Sequence, residues 1–205
     1  ELVTANTNQK KPVIVILAEK DKVEMEDEIR AEVKELKTTR VVCRSGSPLS
    51  LADLEIVNPN AAKSIIILAP EVADPDTHVI KSILALTNNP HRRPAPYHIV
   101  AQVQKAENLP VARMVGGSET TLLLVGDLLA RIIAQTCRQS GLSIVYTELL
   151  DFGGDEIYFK AEAGLVGKSF GDALLAYEDS ALIGLRLADG RVQLNPPMET
   201  LISAG

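Results

Sequence analysis

The first strong signal in the chain is at residues 13–18, where Val13-Ile14-Val15-Ile16-Leu17-Ala18 is apolar without interruption. A β-branched run of that length predicts a strand buried on both faces, as in a parallel sheet. Residues 23–37 space Val23, Ile29, Val33 and Leu36 among Glu and Lys, and this helical period predicts a surface helix. A short strand is predicted over 38–43, stopped by Arg44-Ser45-Gly46-Ser47-Pro48, and a short helix over 49–56. Residues 64–68 repeat the buried-strand signature and end at Pro70. An acidic, proline-punctuated loop over 71–76 then leads into a helix over 77–86 that closes at Asn88-Asn89-Pro90, and 97–104 reads as another strand. Strands alternating with helices predict βαβ units joined by right-handed crossovers, an α/β fold with a Rossmann-like parallel sheet.

Residues 119–139 break this rhythm, because Leu122, Leu123, Leu124, Val125, Leu128, Leu129, Ile132 and Ile133 exceed one narrow face of a helix. Read as one helix, the segment needs cover on most sides, either as a central core helix or as a helix that crosses to a partner subunit. Gly141 ends it, and residues 142–150 predict a further helix. Phe152-Gly153-Gly154-Asp155 marks a boundary. Beyond it come a strand over 156–161, a helix over 169–177 and a hairpin of 181–187 with 191–194 around Asp189-Gly190. The expected organisation is a Rossmann-like lobe over 1–118, a crossover helix pair over 119–151 and a small α+β lobe over 152–205.

Composition narrows the function classes. Aromatic residues make up only 3% of the 205 and there is no Trp, so the core must be aliphatic. A net charge of −6 leaves no basic field for phosphate backbones, and nucleic acid is excluded as an expected partner. Cys43 and Cys137 have neither metal-ligand spacing nor a disulfide framework, which fits a reducing cytosol. The apolar runs are too short to cross a membrane. His78, His91 and His98 do not cluster with a nucleophile, and no catalytic machinery is visible.

A dinucleotide-binding sheet begins with a strand that runs into a glycine-rich turn. No G-x-G-x-x-G is present, and residues 1–10 read as the tail of a helix and its exit loop. The expectation is therefore an excised fragment that lacks the first, central strand, with a gap in the sheet where that strand belongs unless another segment fills it. Residues 198–205 likewise read as the lead-in to an absent strand.

Three runs carry a family resemblance: residues 43–54 (CRSGSPLSLADL), residues 63–68 (KSIIIL) and residues 135–142 (QTCRQSGL). They resemble the cytosolic RCK domains of Castor, Pollux and related prokaryotic channel proteins, over nearly the whole chain. That resemblance implies a cytoplasmic gating-ring module of a membrane protein, in which other RCK domains assemble as a homo-oligomer and act on a membrane pore domain of the same parent. It also turns the reading of 119–139 toward a partner interface. An adenine nucleotide or Ca²⁺ is the implied ligand class. The competing readings are a fragment of an NAD-linked oxidoreductase and a purely structural interaction domain.

The candidate sites follow from this. Glu19, at the end of the first observed strand, stands where an acid would accept ribose hydroxyls. Ser45, Gly46 and Ser47 form the loop after the next strand, where many RCK domains carry a Gly-Asp pair, and here Ser47 replaces the acid. Asp151, Asp155 and Glu156 offer hard oxygen ligands for Ca²⁺ among flanking glycines. Asp74-Pro75-Asp76 is read as turn and helix N-cap chemistry.

Overall fold

The aliphatic run at 13–18 forms a strand, but not one buried on both faces as expected: none of its residues is buried, and Val13 and Val15 are exposed. In the computed structural model, which describes residues 1–154 and 156–204, it is the first of seven strands among the described residues. The chain divides into two compact units, Glu1–Asp155 and Glu156–Gly205. In the first, a short helix α1 (Leu2–Ala5) precedes β1 (Val13–Ala18), α2 (Lys22–Glu32), β2 (Arg40–Ser45), α3 (Leu51–Val57) and β3 (Ile65–Ile67). Then follow α4 (Pro75–Thr87), β4 (Ile99–Val103), α5 (Leu109–Gly116), β5 (Thr120–Leu124), α6 (Val125–Arg138) and α7 (Leu142–Leu150).

All of the strand pairs in this unit are parallel, but they form two sheets. One is β1-β2, in register from Val13 with Arg40 to Ala18 with Ser45, and the other has the order β3-β4-β5. No ladder joins β1 to β3. The expected gap in the sheet lies at this boundary.

The backbone shows which groups face it. Arg40 N donates to Pro12 O and Gly46 N to Ala18 O, so even-numbered positions of β1 point toward β2. By the two-residue period, Val13, Val15 and Leu17 turn their N–H and C=O groups the other way. Ile65 N donates to His98 O, which leaves Ile66 as the β3 residue facing away from β4. Hydrogen exchange is expected to report this pattern. The amides of Val13, Val15, Leu17 and Ile66 should exchange at least about tenfold faster than those of Ile14, Ile16, Ile65 and Ile67. Equal protection of the two sets would mean that the edges are paired.

The core lies on one face of β3-β4-β5. Ile99, Ala101 and Val103 alternate along β4 and are fully buried, and Ala101 clusters with Val79 and Ile83 of α4. Burial of the Ile and Val side chains among these is worth about 1.5–3 kcal/mol each. Leu54 of α3 joins Leu86, Tyr97 and Ile99 in one cluster, against which Leu17 of β1 and Ile65 and Ile67 of β3 also pack. α3 therefore bridges the two sheets through side chains where no hydrogen bonds cross.

At the entry ends of β4 and β5 the loop between α4 and β4 is clamped. Arg92 Nη2 donates to both carboxylate oxygens of Glu119, at 2.7 and 2.8 Å, and Tyr97 N donates to the same carboxylate at 2.7 Å. The Arg92 and Arg93 guanidiniums each lie 4.9 Å from the Tyr97 ring centroid, and the Tyr97 hydroxyl donates to Asn60. Arg93 donates to the Asn60 and Ala62 carbonyls, completing the tie to the segment before β3.

The expectation of a single helix over 119–139 is corrected. A 3₁₀ turn (Gly117–Glu119) precedes β5, and only Val125–Arg138 is helical. The apolar residues Leu122 and Leu124 belong to a strand half-buried against the core, which is why the segment exceeded one helical face. α5, with Pro110 in its first turn, is a helix that the sequence pattern did not announce. Gly141 has φ +91°, a conformation that favours glycine, and it starts α7.

In the second unit, Leu165, Phe170, Ala173 and Pro196 are buried. α8 (Phe170–Ala173) is much shorter than the helix expected over 169–177, and it starts with a capping box between Ser169 and Asp172. The expected strand over 156–161 is absent, and Ile157, Tyr158 and Phe159 are exposed. The hairpin is present as β6 (Gly184–Arg186) and β7 (Val192–Leu194). Residues 198–202 do find a partner: Phe170 N donates to Thr200 O and Ile202 N to Lys168 O, in an antiparallel run along 167–171.

Candidate functional site

In a parallel sheet the C-terminal ends of the strands collect the loops that bind ligands. The β1–β2 register pairs Ala18 with Ser45, so the loops that follow, carrying Glu19 and Ser45-Gly46-Ser47, begin side by side. Gly46 N donates to Ala18 O at 3.0 Å, which fixes that adjacency in the backbone. The four residues read from the sequence as one candidate site thus share one sheet edge. Glu19 and Ser45 are exposed, while Gly46 and Ser47 are half-buried. Lys20 beside Glu19 is turned to α2, where it meets Glu28 at 2.5 Å and Glu24 at 3.5 Å. The hydrogen bond to Glu28 raises the Lys20 ammonium above its ordinary value. Asp21 caps α2, accepting from Val23 N and Glu24 N.

Ser47 is engaged inward. Its Oγ accepts from Leu49 N at 3.3 Å and its N–H donates to the Asp53 carboxylate at 2.9 Å. The carboxylate that meets the backbone at position 47 comes from Asp53, in the first turn of α3. Asp53 was legible as the fourth residue of Ser50-Leu51-Ala52-Asp53, a helix-start spacing in which Ser50 Oγ accepts from Asp53 N.

Glu19 offers this edge an exposed carboxylate acceptor and Ser45 a second exposed polar group. No glycine-rich turn accompanies it to hold phosphates.

A further carboxylate on the C-terminal side of the other sheet is Asp76 of α4, 1% exposed. It accepts from Gln104 N at 2.8 Å, Lys105 N at 2.9 Å and Asn108 Nδ2 at 2.8 Å, tying the exit of β4 to the start of α4. The reading of Asp74-Pro75-Asp76 as cap chemistry missed this role. Asp74 holds the N-cap position without capping the backbone and instead accepts from Thr77 Oγ1.

Of the carboxylates proposed for Ca²⁺, Asp151 closes α7 and accepts from Gly153 N at 2.8 Å. Glu156, in the second unit, accepts from the Tyr158 hydroxyl. Asp155 lies outside the described residues. Among the described residues, no three His, Cys, Asp or Glu side chains are grouped to hold a metal ion. A small hollow lined by Glu55, Asn58, Pro59, Asn60, Asn89 and His91 sits beside the entry to β3, away from the Glu19 edge.

α6 presents a different kind of surface. Leu128, Leu129 and Ile133 are 51%, 54% and 59% exposed, and no residue of the helix is buried. No helix among the described residues is long and apolar enough to cross a membrane.

Residues 126–205, starting within this helix, match the family described as "Castor and Pollux, part of voltage-gated ion channel". The probable ion channel CASTOR of Oryza sativa subsp. japonica is 34% identical over 96% of this chain. The chain belongs to the Castor and Pollux family. The ion channel POLLUX of Lotus japonicus is 36% identical, again over 96% of the chain, and the chain spans 22% of the length of each of these two relatives. Residues 1–90 of this Castor/Pollux chain match the "Calcium-activated potassium channel slowpoke-like RCK domain". The human SLO3 gating ring is similar to it in fold, with a TM-score of 0.64 at 20% identity, over all of this chain and 40% of that one. The Castor/Pollux chain is therefore an RCK-type α/β domain whose parallel sheet is open at its centre.

Proposed function

We propose that this chain is the cytoplasmic regulatory module of an ion channel, a gating-ring component that senses a ligand and acts on a pore carried elsewhere in the parent protein. The observation that carries this reading is α6, whose exposed leucine and isoleucine face has no cover within its own unit. Further copies of the same module are the cover it suits, as a homo-oligomer through this helix. Ligand binding biases such an assembly only by the difference in affinity between its arrangements, and that difference is the free energy available to the pore.

The Glu19 and Ser45-Gly46-Ser47 edge is the ligand site of this reading, with an adenine nucleotide as the ligand class. A Ca²⁺-sensing version would draw on Asp151, Asp155 and Glu156. Calorimetric titration with adenosine, ADP and Ca²⁺ separates a sensor, which binds at least one of them, from a scaffold, which binds none.

The oligomer is tested by sedimentation. The wild-type chain should associate, and Leu128→Asp should weaken association at least about a hundredfold, since a carboxylate buried in an apolar contact costs several kcal/mol. A wild-type monomer at high concentration, unchanged by the substitution, would count against the reading.

A further inference from the structure

The loop after β2 is shaped by a residue outside it. The position a Cβ would take on Gly46 lies 2.9 Å from Asp53 Cγ, closer than real Cβ atoms approach, and 3.1 Å from Asp53 Oδ2, a tight contact. The Asp53 carboxylate therefore fills the space beside Gly46, while the same group accepts from Ser47 N at 2.9 Å. Asp53 is in turn held by its place in the first turn of α3, where its own N–H donates to Ser50 Oγ. One side chain thus fixes the backbone of two consecutive loop residues. With Ser47 Oγ occupied by Leu49 N, Ser45 is the hydroxyl of the loop left exposed, one residue before the Gly46 N–H that bonds Ala18 O, next to Glu19.

We propose that Asp53 is the positioning residue of this edge, holding the Ser45-Gly46-Ser47 loop in the shape that presents Ser45 beside Glu19 to the hydroxyls of a nucleoside. This rests on the reading of the edge as a nucleotide site. Asp53 does not touch the ligand; it acts through Ser47 N and the fit against Gly46. The arrangement also makes Gly46 and Asp53 a matched pair, because any larger residue at 46 must displace the carboxylate.

The test uses the whole 205-residue chain with adenosine as the probe, and reads two quantities: the exchange rate of the Ser47 amide and the calorimetric affinity for adenosine. Asp53→Ala should speed Ser47 exchange and weaken adenosine binding, each by about tenfold, the loss expected of one hydrogen bond to a charged acceptor. Asp53→Asn keeps a side-chain oxygen for Ser47 N and should restore most of both. Glu19→Ala should weaken binding and leave Ser47 exchange unchanged. Gly46→Ala should lose affinity on its own but lose little more in the Asp53→Ala background. If Asp53→Ala frees the Ser47 amide while adenosine still binds as tightly as to the wild type, Asp53 is a structural residue only and the proposal fails. If the wild-type chain does not bind adenosine, the ligand reading fails and the proposal falls with it. An unchanged Ser47 amide in Asp53→Ala overturns the proposal while leaving the ligand reading standing.

Discussion

Asp76→Ala is expected to lower the stability of the first unit by about 3 kcal/mol, measured by urea unfolding at neutral pH. The carboxylate is fully buried and accepts three hydrogen bonds, two of them from the consecutive backbone amides of Gln104 and Lys105. Alanine would leave those donors, and Asn108 Nδ2, inside the fold without an acceptor, and it is the orphaned groups that set the size of the loss. The effect should depend on pH with a defined sign. Burial pushes the Asp76 carboxyl up, but the hydrogen bonds from Asn108, Gln104 and Lys105 and the charge of Lys105 outweigh it and hold the group below its ordinary value. A carboxyl that titrates lower when folded contributes its full stabilisation above the unfolded value, near pH ~4, and loses it as the pH falls through the folded value. The gap between wild type and Asp76→Ala should therefore be widest at neutral pH and shrink in acid. A gap that stays constant down to about pH 2 would mean that the carboxylate form is not what the site stabilises.

The second large effect is expected at Glu119. Glu119→Ala should cost about 3 kcal/mol, because it removes the acceptor for Arg92 Nη2 and for Tyr97 N while leaving Arg92 half-enclosed. With 23% and 20% of the two side chains exposed, the pair is sheltered enough for that loss to exceed the value of a surface ion pair. Burial raises the Glu119 carboxyl, but the hydrogen bonds from Arg92 and Tyr97 N overcome this and hold it below its usual range. In a double-mutant cycle with Arg92→Ala the two losses should not add, with a coupling of at least about 1.5 kcal/mol. Additive losses would show that the arginine is held by Thr87 O and the Tyr97 ring independently of the glutamate.

What the sequence made legible was whatever one element could express alone. β1 was readable because six consecutive aliphatic residues need cover on both faces, and α4 because its apolar period stops at Asn88-Asn89-Pro90. The junction of β5 and α6 was not, since Leu124 and Val125 are both apolar and no glycine or proline separates the strand from the helix. α5 escaped because its eight residues carry Pro110 in the first turn and end against Gly117, so that turn signals outweigh a short period. The site divides in the same way. Glu19 and the Ser45-Gly46-Ser47 loop could be placed from their strand ends, and the register does set them together. The roles of Asp53 and Asp76 depend on side chains reaching 6 and 28 residues along the chain, to Ser47 and Gln104, contacts that periodicity does not encode.

The open centre of the sheet has a mechanical meaning. Across every other strand boundary of the first unit the chain resists sliding with a ladder of backbone hydrogen bonds, but between β1 and β3 the described link is a side-chain cluster, Leu54, Leu86, Tyr97 and Ile99, against which Leu17, Ile65 and Ile67 pack. Side-chain contacts of this kind are short-ranged and not directional, so they yield to small displacements that a ladder would oppose. The boundary under α3 is the compliant seam of the unit. A load applied to this domain would be absorbed there first, with β1 and β2 shifting together as one plate against the other three strands.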